Sequence, residues 1–186
     1  MRYWSSVASC HPASKGGAEY VQIGQDEDVR FRVATTADFP ALGELRWEWR
    51  AAEDPNRQAV EERSAFIDRF AAFASDAITN GRWTAWVAED EGLLVANIWI
   101  QRIPKVPSPG RSTRDFGYMT NVYTRPDMRN LGVGSELLRA VTVWAHEMDL
   151  EMVVVWPSEL SVAWYQRHGF EPSTEMHELE VSGYEG

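Results

Sequence analysis

Residues 29 to 33 alternate apolar Val29, Phe31 and Val33 with Arg30 and Arg32, a period of two that predicts a first strand with one buried face. Thr35 and Thr36 ahead of Asp38 provide an N-cap, and Leu42, Leu45 and Trp49 form a helical stripe ending near Asp54-Pro55. A second stripe runs through Val60, Phe66, Ile67, Phe70, Phe73 and Ile78 until Asn80-Gly81 stops it. Residues 83 to 89 and 93 to 103 read as strands joined at Asp90-Glu91-Gly92, with the glycine a tight hairpin favours. A loop rich in Pro, Ser and Gly covers 104 to 114, and the next strand spans 115 to 123. Residues 132 to 148 form a helix with Leu137, Leu138, Val141, Trp144, Ala145 and Met148 facing a core. The β-branched run 152 to 156 predicts a central strand buried on both faces. A short helix around Tyr165 follows, with final strands at Phe170 and at 175 to 181. Ahead of all this, 1 to 28 show only Tyr20-Val21-Gln22-Ile23, which reads either as an extra edge strand or as a frayed extension. The folded domain is therefore placed at 29 to 186.

Thr124-Arg125-Pro126-Asp127-Met128-Arg129-Asn130-Leu131-Gly132-Val133-Gly134-Ser135 links a strand to a long amphipathic helix. A helix start offers unpartnered N–H groups and the positive end of its dipole, which together favour a phosphate. Gly132 and Gly134 keep Cβ atoms away from such an anion. The spacing is neither the dinucleotide fingerprint nor the P-loop, because no third glycine and no Gly-Lys-Ser/Thr follows.

The segment instead resembles the acetyl-CoA signature V-x-P-x-x-R-x-x-G-x-G of the GCN5-related N-acetyltransferases, with Thr124 in place of the usual valine and Asn130 where glycine is frequent. Further on, Ser158-Glu159-Leu160-Ser161-Val162-Ala163-Trp164-Tyr165-Gln166-Arg167-His168-Gly169-Phe170 is similar to that family's N-x-x-A-x-x-L-Y-x-x-x-G-F. The resemblance covers about residues 29 to 181. It implies an α/β fold with a central mixed, mostly antiparallel sheet and helices on both faces. It also implies acetyl-CoA as co-substrate, with the acetyl group passing directly to a primary amine of a small molecule, peptide or protein. A non-catalytic acyl-CoA-binding sensor or partner domain of the same fold is the alternative, and the presence of Tyr165 favours the enzyme.

By the same resemblance Val122, Tyr123 and Thr124 pair with the pantetheine arm as an added strand would. Arg129, Asn130, Leu131, Gly132, Val133, Gly134 and Ser135 wrap the pyrophosphate, and Ser158 and Ser161 stand where the family has asparagine and alanine near the pantetheine. Tyr165 corresponds to the tyrosine that protonates the leaving thiolate. An amine of pKa near 10.4 is neutral in only about one molecule in a thousand at pH 7, so a base or an ordered water must take its proton. Asp115, Tyr118 and Asn121 are the candidates on the strand, and Glu48 on the first helix is a further one.

Net charge and cysteine content narrow the partners. The chain carries a formal −10 over 186 residues, which argues against general affinity for nucleic acid or anionic membranes and for a cationic acceptor. Cys10 is the only cysteine, and no apolar run reaches the length of a membrane helix, so a soluble, cytoplasmic protein is expected, as monomer or homodimer. Histidines 11, 146, 168 and 177 lack metal-ligand spacing, so no metal is implied. Nine tryptophans are either core filling or, for a few, the wall of an amine pocket.

Overall fold

The computed structural model describes residues 29–53, 61–110 and 112–179. Five strands form one sheet in the order β1 (Val29–Val33), β2 (Trp83–Asp90), β3 (Leu93–Ile103), β4 (Phe116–Thr124), β5 (Val153–Val155). The first four pair antiparallel, and β5 runs parallel to β4. Helices α1 (Phe39–Glu53) and α2 (Arg63–Thr79) cover one face; α3 (Val133–Glu147) and the short α4 (Val162–Arg167) cover the other. The expected mixed sheet with helices on both faces is the architecture observed.

Local chemistry explains each junction. A 3₁₀ turn at Thr36–Asp38 leads into α1, and the Thr35 N–H donates to Asp38 Oδ2 at 2.7 Å, closing the helix start on itself. The Arg32 guanidinium bridges Asp38 (2.6 and 2.8 Å) and Glu89 (2.9 and 2.6 Å), so one cation ties β1, the α1 entry and β2 together. Gly43 lets α1 sit close to α2: a Cβ there would lie 3.4 Å from Phe70 Cδ1 and 3.5 Å from the Ile67 main chain. In the hairpin between β2 and β3, Gly92 has φ +82°.

The core forms two layers divided by the sheet. One joins Phe39, Leu42, Leu45, Val87, Trp99 and Tyr123 with α1 and α2; the other joins Ile98, Ile100, Met119, Leu137, Val141 and Tyr165 with α3 and α4. Among the tryptophans, Trp86 and Trp99 are core residues, whereas Trp156 is exposed.

Two expectations need correction. The valine run is not a central strand: β5 is the sheet's edge among the described residues, and Val153, Val154 and Val155 are each half-buried. A β-branched run cannot report whether a neighbour lies on its second side, because that is decided by pairing and not by propensity. The final strands are likewise absent from the described residues. Phe170 packs against Tyr165 with ring centroids 5.3 Å apart, and residues 171 to 179 are exposed and form no ladder, so their backbone groups have no strand to pair with. Residues 180 and 181 of that expected strand, residues 1 to 28 with their possible extra strand, and Val60 lie outside the described residues.

Candidate active site

Strand β4 changes register halfway along. Asn97 pairs with Tyr123 but Trp99 pairs with Thr120, so two steps on β3 face three on β4, which carries one extra residue. The bulge falls at Asn121, whose φ of +50° is a left-handed conformation asparagine tolerates better than most residues. The Asn97 side-chain N–H donates to the Asn121 carbonyl, and Arg46 Nη1 donates to Asn121 Oδ1 at 2.9 Å. Both the main chain and the side chain of the bulge residue are thereby held.

On its other side β4 pairs with β5 only from Gly117 to Met119. Past Met119 and Val155 the ladder ends: β4 continues to Thr124, while the chain after β5 turns at Glu159 and Leu160 into α4. The edge of β4 from Thr120 to Thr124 therefore lacks a ladder on that side, and an extended amide-bearing chain can pair there.

The Thr124 end of this edge runs into the signature. Pro126–Met128 is a 3₁₀ turn, and Asn130 and Gly132 have φ of +63° and +85°. Among the described residues the backbone N–H groups of 130 to 134 have no acceptor, while those of Ser135 and Glu136 already donate to the Gly132 carbonyl at 3.0 Å. Five free donors at the positive end of a 15-residue helix make a nest for an anion. Gly134 is needed for room: a Cβ would stand 3.0 Å from Thr124 Oγ1 and 3.8 Å from Trp164 Cζ2. Arg129 folds back, its Nε donating to the Thr124 carbonyl at 3.1 Å and its guanidinium lying 5.9 Å over the Tyr123 ring.

Helix α4 brings the second motif against the start of α3. Ser158 and Ser161 satisfy each other, their hydroxyls 3.1 Å apart and Ser161 Oγ 2.9 Å from the Ser158 carbonyl, at the entry to α4. Tyr165 is only 5% exposed, edge-on to Trp164 at 4.8 Å and in one core cluster with Val133 and Leu137. Burial pushes its phenol up to about 12, so it stays protonated throughout the neutral range. Burial also raises Tyr123, and the Glu48 carboxylate adds to the effect.

The candidate bases are dispersed. Asp115 precedes β4 and is ion-paired with Arg102 at 2.9 Å; six residues, about 20 Å of strand, separate it from the bulge. Glu48 receives both Nε and Nη2 of Arg125, at 3.1 and 2.9 Å. Tyr118 is partly buried against Trp83 and Trp156, on the sheet face that carries Trp99. Asn97, Arg46 and Arg125 were not anticipated from sequence. Only Asn97 left a signal, as a lone amide inside the apolar run from Leu94 to Ile100. It is fully buried, and its Oδ1 has no partner among the described residues.

Among the described residues no group of three or more His, Cys, Asp or Glu could hold a metal ion, and no helix is long and apolar enough to cross a membrane. A separate cleft of about 300 Å³ between α3 and the turn after α4 is lined by Met119, Leu138, Val141, Phe170 and their neighbours, none of them a candidate site residue.

Known proteins share this fold. A predicted acetyltransferase from Clostridium acetobutylicum, solved with acetyl-CoA, superposes with a TM-score of 0.66 at 22% identity over 85% of this chain and 99% of its own. A GCN5-related N-acetyltransferase from Ralstonia eutropha gives 0.61 at 25% identity over 83% and 99%. Glucosamine-6-phosphate N-acetyltransferase from Arabidopsis thaliana gives 0.63 at 16% identity over 83% and 99%. Among curated proteins, the amino-acid acetyltransferase of Edwardsiella ictaluri is 39% identical over 57 residues, a stretch that is 31% of this chain and only 13% of that protein's length. The family model described as acetyltransferase (GNAT) family matches residues 42–170. With the signature loop, the bulged strand and the tyrosine of α4 all inside that span, the chain belongs to the GNAT acetyltransferase family.

Proposed function

We propose that this protein transfers the acetyl group of acetyl-CoA directly to a primary amine. The observation that carries the reading is the continuous path from the unpaired edge of β4, past the bulge at Asn121, to the free N–H groups of 130 to 134. Val122 and Thr124 supply strand-like backbone partners for the pantetheine amides, Tyr123 between them pairing with Asn97 of β3, and the signature loop takes the pyrophosphate. Arg129 orders that loop through its bond to the Thr124 carbonyl.

In the reaction the amine nitrogen attacks the thioester carbonyl carbon, the C–N bond forms, the C–S bond breaks and the sulfur leaves as a thiolate. Tyr165 donates its hydroxyl proton to a hydrogen bond with that sulfur. At about 12 its phenol is a weaker acid than a thiol of about 8.5, so it stabilises the developing charge more than it surrenders its proton. The proton that finally rests on sulfur comes from the amine. Asn121 acts through the shape of the bulge, since its side-chain oxygen already accepts from Arg46.

A second reading, acyl-CoA binding without turnover, draws support from the pairing of Asp115 and Glu48 with arginines. The two separate in one experiment. Acetyl-CoA should raise the melting temperature under both, whereas thiol release in the presence of primary amines occurs only for the enzyme.

A further inference from the structure

We propose that the acceptor is a primary amine carrying an aromatic ring, seated on a shelf of aromatic side chains beside the point where β4 and β5 part. The proposal rests on the acetyltransferase reading above and names its substrate class.

The shelf is an unbroken series of ring contacts. Phe73 stacks on Trp99 at 6.0 Å, Trp99 meets Trp83 at 6.2 Å, Trp83 meets Tyr118 at 6.2 Å, and Tyr118 meets Trp156 edge-on at 4.9 Å. Only Trp99, 2% exposed, belongs to the interior; Phe73 and Trp156 are 51% and 61% exposed. Trp99 and Trp83 belong to the α1–α2 core cluster, whereas Phe73, Tyr118 and Trp156 lie outside it.

Placement gives the shelf its role. Tyr118 is opposite Val154, and Trp156 follows Val155, the last residue of β5 paired with β4. The outer end of the shelf thus borders the gap into which the thioester must extend, Tyr118 being two residues from Thr120 where the free edge begins. An amine joined to a ring by a short alkyl link can reach that gap while its ring packs on Tyr118 and Trp156.

Charge points the same way. Two carboxylates along these elements are already paired, Asp76 with Arg82 at 3.2 Å and Asp115 with Arg102 at 2.9 Å. The face of Trp49 is covered by Arg46 and Arg50, at 4.7 and 5.0 Å, whereas no cation covers Trp83, Tyr118 or Trp156 among the described residues. Among the described residues no cation therefore competes for the faces of these three rings, which an aromatic group would meet edge-to-face or offset-stacked.

The test compares 2-phenylethylamine, hexylamine, ethylamine and 1,4-diaminobutane as acceptors, following thiol release from acetyl-CoA. The expected order of kcat/KM puts 2-phenylethylamine first, about tenfold or more above ethylamine and 1,4-diaminobutane, and above hexylamine. In Trp156→Ala the ratio of kcat/KM for 2-phenylethylamine to that for ethylamine should fall about tenfold, mainly through KM, and Trp156→Phe should restore most of it. A ratio cancels any general loss of active enzyme. Preference for 1,4-diaminobutane or hexylamine, or a ratio unmoved by Trp156→Ala, overturns the aromatic acceptor and leaves the acetyltransferase reading standing. Release with none of the four amines, although acetyl-CoA binds, overturns the aromatic acceptor; the acetyltransferase reading itself falls only if no primary amine of any class, amino acids and peptides included, releases thiol.

Discussion

Asn97 and Asn121 sit on neighbouring strands 24 residues apart in sequence, and the buried amide of the first donates to the main-chain carbonyl of the second at the bulge of β4. The bulge leaves that carbonyl without a regular ladder partner, and a side chain on the adjacent strand takes the ladder's place. The left-handed conformation of Asn121 is held by this substitution of side chain for main chain.

Asn97→Ala should therefore cost stability and cofactor affinity together. An unsatisfied buried carbonyl is worth about 1–3 kcal/mol, so the denaturation midpoint should fall accordingly. Acetyl-CoA affinity measured by calorimetry should weaken with it. Val87→Ala, at a fully buried position of the α1–α2 layer, is the comparison: it should lower stability similarly and leave the affinity alone. Equal affinities in the two variants would separate the bulge from the donor site.

Gly134→Leu should abolish the thermal stabilisation by acetyl-CoA, since a Cβ there already stands 3.0 Å from Thr124 Oγ1 and a longer side chain fills the space above the loop. At about one hundred times the dissociation constant that stabilisation is roughly 2.7 kcal/mol in the wild type. Gly92→Ala, strained at φ +82° in the hairpin between β2 and β3, should melt lower yet gain as much from the ligand. A ligand shift retained by Gly134→Leu would place the phosphates elsewhere.

Tyr165→Phe keeps the ring against Trp164 and Phe170, so acetyl-CoA affinity should stay near wild type. Removing a hydrogen-bond donor to developing charge should slow single-turnover transfer about 10²-fold. A wild-type rate would leave Tyr165 as a packed aromatic only. The pH dependence has a definite sign: the folded phenol is raised to about 12 from about 10, so its contribution is complete below about 10 and is lost above. Wild type should accordingly lose stability relative to the Phe variant between pH about 10 and about 12.

Asp38 should show the opposite linkage. Burial alone would raise its carboxyl, but hydrogen bonds from Arg32 and from Thr35 outweigh burial and hold it below the usual range. Its stabilising contribution is then full above the ordinary aspartate value of about 3.9 and disappears as pH falls through the lower folded value. Asp38→Asn should melt below wild type at pH 7, with the gap closing in acid. A constant gap from pH 7 to pH 2 would contradict the linkage.

What the sequence determined by itself is what short-range rules govern. The strand, turn and helix from Phe116 to Glu147 rest on alternation, on Pro126 and on Gly132 at a position of positive φ, and all of these act between residues a few positions apart. The position of Tyr165 in a short helix is local in the same sense. The tertiary structure decided everything that depends on register: that the valine run is an edge strand, that the extra residue of β4 falls at Asn121, and that Glu48 meets Arg125 across 77 positions and Arg46 meets Asn121 across 75. The aromatic shelf is of this kind too, assembled from residues between 73 and 156. Propensity and periodicity describe a segment's preference for a conformation, whereas which segments become neighbours follows from burying both faces of one sheet at once, a condition no single stretch of sequence contains.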